Sequence, residues 1–229
     1  MRKILILGGN SDIGIKVIEK LVKINSFQLC VHFNKNFPKK KYTKKIKFIK
    51  KNLLNINEKN VSKNFDKNYD IIINLVGYVS DQSFVNFNLK ETFKTILINS
   101  FVPFLIIRNS LKNMTKKRYG RIINTSSVGV KFGGSAKTFS YSLSKHLNEF
   151  IPREIKNLYS YNILYNTLRI GVTDTKFHKK IKNKSLKKRI KMIPIKKMAT
   201  ANDIAEYIVY LVRDNNYVTD EIINITGGE

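Results

Sequence analysis

At 229 residues, 42% of them apolar and with a net charge of +27, the chain can bury one sizeable core, is short for two domains and is too apolar for wholesale disorder. Its longest apolar runs, near 71–76 and 96–107, are too short or too interrupted to cross a bilayer, and the run behind Met1-Arg2-Lys3 stops at Gly8-Gly9, which reads as a buried strand rather than a signal segment. A single cysteine, Cys30, excludes an internal disulfide framework, and a cytoplasmic setting with no membrane partner is expected.

Strands and helices alternate from the start. Residues 3–7 predict a short apolar strand, and 12–23 a helix with apolar spacing at Ile13, Val17 and Leu21. Phe27–Phe33 predicts a second strand and 47–49 a weak third. The unbroken apolar run over 70–76 fits a parallel strand covered on both faces. A long helix is expected over 89–113, a strand over 121–125 and a helix over 139–158. A strand over Ile163–Ile170, a helix over 201–212 and a strand over Glu221–Ile225 follow. No Pro- or Ser-rich linker and no repeat interrupts this order. It predicts the α/β class, with right-handed crossovers and a doubly wound parallel sheet in a single domain over 1–229. The only composition shift lies at 176–197, where 11 of 22 residues are Lys or Arg.

So basic a chain suggests a nucleic-acid or anionic-membrane partner. Against that, Lys supplies 35 of the 43 basic residues and is spread along the chain. Lys, Asn and Ile also share A- and T-rich codons, so composition accounts for the charge and nucleic acid is not the expected partner. No zinc finger, aromatic-studded RNA-binding sheet or basic zipper is present. His32, His146 and His178 are scattered and Cys30 lies in a strand, so no metal site is expected.

Gly8-Gly9-Asn10-Ser11-Asp12-Ile13-Gly14 joins the first strand to the first helix, where a dinucleotide-binding turn belongs. Glycines let the backbone approach a pyrophosphate, and the helix N-terminus offers unpaired N–H groups. Specificity for NAD usually comes from a carboxylate closing the second strand. Val31-His32-Phe33-Asn34-Lys35-Asn36 has none, and Asn34 and Lys35 would accept a 2′-phosphate, so NADP(H) is favoured over NAD(H). Farther on, Tyr141-Ser-Leu-Ser-Lys145 sets a phenol and an ammonium four residues apart on one helical face. The cation is expected to lower the tyrosine pKa and make Tyr141 a general acid or base. With 11 Tyr and 35 Lys, about 1.7 such pairs arise by chance, so this pair alone means little.

Taken in order, these motifs resemble the short-chain dehydrogenase/reductase family over about residues 3–228, which implies a Rossmann-type three-layer sandwich. The glycine turn is similar to the family's T-G-x-x-x-G-x-G, with Leu7 in place of Thr and Asp12 in place of the middle glycine. The resemblance implies that Arg121-Ile-Ile-Asn-Thr-Ser-Ser127 delivers the catalytic serine, Ser127 first and Ser126 as the alternative. It implies that Asn99 anchors a water in a proton relay with Lys145. It implies further that Asn52 and Leu53 cup the adenine, and that Asn74 and Gly77 pack beside the cofactor. Gly171, Thr173 and Thr175 fall in the turn near the nicotinamide, where Ile170 replaces a proline. Residues 176–197 occupy the place of a mobile substrate lid.

The implied activity is NAD(P)H-dependent reduction of a ketone, a 3-oxoacyl thioester or a sugar-type carbonyl among the candidates. Tyr141 would be the acid, and Lys145 would tune it while holding the nicotinamide ribose. A basic lid suits an anionic substrate, and Arg118 matches a residue that contacts carrier protein in the 3-oxoacyl carrier-protein reductases. Homo-oligomers, dimers or tetramers, are implied as well. The competing reading is a cofactor-sensing or nucleic-acid-binding protein on the same fold; the full set Asn99, Ser127, Tyr141 and Lys145 argues against it.

Overall fold

The computed structural model describes residues 1–37, 46–177 and 186–229. Its strands are β1 (Arg2–Leu7), β2 (Phe27–Phe33), β3 (Ile46–Lys50), β4 (Ile71–Asn74), β5 (Gly120–Ser127), β6 (Ile163–Ile170), β7 (Thr173–Asp174), β8 (Ala199–Thr200) and β9 (Glu221–Ile225). Its helices are α1 (Asp12–Leu21), α2 (Val61–Asn64), α3 (Leu89–Ile96), α4 (Val102–Lys117), α5 (Phe139–Leu147), α6 (Arg153–Lys156), α7 (Leu186–Met192) and α8 (Ala201–Arg213). Seven strands form one sheet in the order β3-β2-β1-β4-β5-β6-β9, every pairing parallel. The strand order reverses beside β1, so the chain winds outwards in both directions from the middle of the sheet.

Three layers follow from the period-two alternation of strand side chains. Leu5, Leu7 and Ile72 point to one face and pack with Val102, Ile106 and Met114 of α4. Ile4, Ile6, Ile71 and Ile73 point to the other and pack with Val17, Ile18 and Leu21 of α1 and with Ile204 and Ile208 of α8. This is why the central strands read as continuous apolar runs. Local chemistry starts the two helices on that face. Ser11 caps α1 by accepting the Gly14 N–H at 3.1 Å, and Thr200 and Asp203 form a reciprocal capping box on α8.

The strands lie within a residue or two of their expected limits, but two helices differ. The helix expected over 89–113 is broken by a π-helical turn at Leu97–Phe101 and then runs on to Lys117. The helix expected over 139–158 stops at Leu147. Asn148 and Glu149 turn inwards there, and Pro152 can neither donate to the previous turn nor tolerate a helical residue before it. A single short helix, α6, follows. Among the described residues no helix is long and apolar enough to cross a membrane. Residues 178–185, including His178 and part of the segment expected to form a lid, lie outside the described residues.

Candidate active site

The C-terminal ends of β1, β4, β5 and β6 converge on one edge of the sheet, and the residues singled out from sequence gather there. Gly8 adopts φ +71°, and a Cβ on it would lie 2.9 Å from the Leu75 carbonyl oxygen; a Cβ on Gly14 would lie 2.7 Å from Gly9 O. Neither position admits a side chain, so the turn brings bare backbone to the start of α1. The N–H groups of Asp12 and Ile13 precede the first intrahelical bond, Ile15 N–H to Ser11 O at 2.9 Å, and so have no partner within the helix. Asn10 ties the turn to the loop after β2, its Nδ2 donating to Asn36 O at 3.1 Å. Asn34 and Lys35 stand exposed on that loop. This cradle, filled by any Cβ and bordered by donors without a carboxylate on β2, fits a dinucleotide.

His32, which sequence reasoning set aside as scattered, buttresses the cradle. It is 3% exposed. Its Nδ1 accepts the Gly8 N–H at 3.3 Å and its Nε2 donates to Lys51 O at 3.0 Å, the tautomer being set by those two partners. Burial pushes its pKa down to about 4.

Several expected cofactor residues turn out to have other duties. The Asp12 carboxylate accepts the backbone N–H of Lys176, the first residue of the basic segment 176–197, at 2.7 Å. Asn52 Oδ1 accepts the Leu54 N–H at 3.1 Å, and the Leu53 side chain is packed in the core. Asn74 is wholly buried: its Nδ2 donates to Asn124 Oδ1 at 2.7 Å and its Oδ1 accepts the Val76 N–H at 3.2 Å. Those two bonds shape the end of β4. Gly77 is more open: among the described residues a Cβ there would meet only the Phe177 ring, at 3.6 Å. Gly171 is pressed against β9, its N–H donating to Ile225 O at 2.8 Å. Thr173 is buried with its hydroxyl donating to Gly171 O at 3.1 Å, whereas Thr175 is half-buried.

Ser127, Tyr141 and Lys145 meet as expected. The Ser127 hydroxyl lies close enough to the Tyr141 phenol to favour its ionised form against burial, and Ser127 Oγ accepts the Gly129 N–H at 3.2 Å. Ser126 points to the opposite face of the sheet and donates to Glu149 Oε1 at 2.7 Å, where Arg169 completes a half-buried ion pair. The alternation of β5 thus turns Ser127, and not Ser126, towards Tyr141. Lys145 is 2% exposed, with Nζ 5.9 Å from the centre of the Tyr141 ring. That ammonium donates to Val76 O at 2.8 Å, Thr125 O at 3.0 Å and Thr125 Oγ1 at 3.3 Å.

The electrostatics correct one expectation. Burial pushes the Tyr141 phenol up, opposed by the Ser127 hydroxyl, and no lowering by Lys145 overcomes it. The same burial pushes Lys145 down to about 7, while three oxygen acceptors occupy its three N–H directions and favour the charged form.

Asn99 lies in the π-helical turn and its carboxamide is fully engaged. Its Oδ1 accepts the Tyr78 N–H at 2.7 Å, and its Nδ2 donates to Tyr78 O and to Ser144 Oγ, both at 2.8 Å. Whatever Asn99 offers Lys145 comes through its main chain. Phe177, missed by sequence reading, packs 5.3 Å from the Tyr141 ring. Its place two residues past Thr175 was the only hint.

A family model described as enoyl-(acyl carrier protein) reductase matches residues 57–229. The chain is 28% identical to a 3-oxoacyl-[acyl-carrier-protein] reductase of Aquifex aeolicus over 239 aligned residues, covering 98% of this chain and 95% of the relative. It is 27% identical to the enzyme of that name from Rickettsia prowazekii over 236 aligned residues, with the same coverage. Among solved structures, ElxO with bound NADP superposes with a TM-score of 0.83 at 24% identity, covering 99% of this chain and 98% of that one. A 4-hydroxyisoleucine dehydrogenase mutant complexed with NADH and succinate gives 0.87 at 24% identity, with the same coverage.

Proposed function

The chain belongs to the short-chain dehydrogenase/reductase family, and from that premise we propose that it reduces the ketone of a 3-oxoacyl thioester, with NADPH preferred as reductant. The observation that carries this reading is the joined set at the ends of β5 and α5. A phenol close to a serine hydroxyl lies beside a buried ammonium, on the edge of the sheet that also carries a glycine turn fitting a dinucleotide. The reduced nicotinamide, when bound, supplies the hydride.

The protein's own groups handle the oxygen. Ser127 Oγ donates a hydrogen bond where negative charge develops, and Tyr141 gives the proton. Lys145 holds the positive charge that keeps the phenolate accessible as that proton leaves. The glycine turn with Asn10, Ser11, Asp12 and Ile13 would hold the pyrophosphate, and Asn34 and Lys35 a 2′-phosphate. Near the nicotinamide, Gly77, Gly171, Thr173 and Thr175 would supply the walls, with Lys145 towards the ribose.

The thioester part of the reading rests on the matched relatives and on Arg118. That guanidinium is exposed at the end of α4, 5.1 Å from the centre of the Tyr161 ring and 3.2 Å from Ser160 O. It presents a fixed cation to an anionic carrier. A homo-oligomer is supported by an exposed apolar row, Leu89, Phe93, Leu97 and Phe101, along α3 and the π-helical turn. The test is NADPH oxidation with a 3-oxoacyl thioester, paired with fluorescence titration of both cofactors. Tyr141→Phe should lose about 10²–10⁴-fold in kcat while its NADPH affinity stays near that of the unmutated protein. Full activity in that variant would remove Tyr141 from its role, and tighter binding of NADH would overturn the NADPH preference.

A further inference from the structure

The carbonyl of Asn99 lacks its ordinary helical partner. In an α-helix the N–H returning to it would come from residue 103, and that residue is proline, which has no N–H. Asn148, the first residue beyond α5 and wholly buried, stands in: its Nδ2 donates to Asn99 O at 3.1 Å. The same Nδ2 donates to Thr125 O at 3.0 Å. Thr125 O is also an acceptor of the Lys145 ammonium, at 3.0 Å. One carboxamide thus clamps the π-helical turn to the strand carbonyl that holds the lysine.

Two further facts separate this clamp from incidental packing. Both atoms facing the amide are carbonyl oxygens, which only accept, so the NH₂ end must point at them. Its Oδ1 is left buried with no partner among the described residues, an unfavourable state that an apolar residue of similar size would avoid. The backbone of Asn148 is itself pinned from two strands, its carbonyl accepting from Asn124 Nδ2 on β5 at 3.2 Å and from Thr167 Oγ1 on β6 at 2.9 Å.

We propose that Asn148 is a positioning residue for proton transfer, holding the Asn99 and Thr125 carbonyls so that Lys145 stays fixed against Tyr141. The inference rests on the carbonyl-reductase reading above. Thr125 O divides its acceptance between Lys145 and Asn148. Without the amide it serves the lysine alone, which strengthens that bond and favours the ammonium. The other ionisable groups around the clamp are few. Tyr165 on β6 bonds Asn124 at 3.0 Å, Glu149 is paired with Arg169 at 2.7 Å, and exposed His146 lies 4.0 Å from Glu149.

Asn148→Leu keeps the volume and removes the donors. Its kcat should fall at least about tenfold while NADPH binding stays within about twofold, and the limb of the kcat–pH profile governed by the Tyr141–Lys145 pair should move to higher pH. Should that variant not fold, Asn148→Asp has the same shape. A carboxylic acid can serve one carbonyl only while protonated, so its kcat should recover towards that of the unmutated protein as pH falls. An unchanged kcat and pH profile in whichever variant folds overturns the inference. If the unmutated protein reduces no ketone, the functional reading falls and takes this one with it. If it reduces one and Tyr141→Phe abolishes that activity while the Asn148 variants keep it, this inference alone falls.

Discussion

His32 does its work neutral. With Nδ1 accepting from Gly8 and Nε2 donating to Lys51 O, protonation would put a proton on the nitrogen that must accept. Its pKa is pushed down to about 4, from an ordinary 6.5, by burial. Between those two values an unfolded chain binds the proton and the folded one does not, so stability rises with pH across that window. It is fully present above about pH 6.5 and falls as pH drops towards 4, by up to about 3 kcal/mol. Urea unfolding at pH 7 and pH 5 measures the effect. His32→Gln, which never charges, should lose less stability between those two pH values than the unmutated protein; equal losses would mean that other groups govern the acid limb. Nothing in the sequence marked His32, because its partners lie on two other segments. Tyr141 and Lys145 were legible from spacing and order, but the direction of their pKa shifts was not. Spacing places charges near one another, whereas desolvation depends on everything packed around them.

The interior strands were the most legible elements. Ile71–Asn74 and Ile163–Ile170 are buried on both faces, so local sequence and tertiary environment demand the same thing. Helix ends were harder to read, since they depend on where polar side chains find partners. The end of α5 is set by Asn148 and Glu149 turning towards β5 and β6, and the break after α3 is a turn whose Asn99 carbonyl is met by Asn148, just beyond α5. The apolar row on that broken helix is equally non-local in meaning. Phe93 is 54% exposed and Leu97 42%, on a face that water disfavours. If a second copy covers it, Phe93→Asp combined with Leu97→Asp should lower the mass measured by light scattering to that of a monomer without loss of helical circular dichroism. An unchanged oligomer would remove this face from the assembly.

Taken as a whole, the protein carries 43 basic and 16 acidic residues, and the lysines are spread along the chain rather than gathered into one recognition element. Such a field acts at long range on anions and is screened by salt. The KM for an anionic 3-oxoacyl thioester should therefore rise several-fold between about 20 and about 200 mM salt, while the KM for a small neutral ketone stays nearly constant. Equal responses would mark the charge as a compositional trait without a part in substrate capture. Composition could not decide this, because codon bias and electrostatic steering leave the same residues on the surface.

The order of the strands has one more consequence, and it falls on the protein while it is being made. β1 ends up in the middle of the sheet, yet its second neighbour lies far downstream, Ile4 pairing with Ile71. At a synthesis rate of roughly 5–20 residues per second, one flank of this apolar strand waits roughly 3–13 s for its partner to leave the ribosome. An unpaired, apolar flank is a template for any other extended chain nearby. The segment that becomes the centre of the finished sheet is, for those seconds, an open apolar edge on the nascent chain.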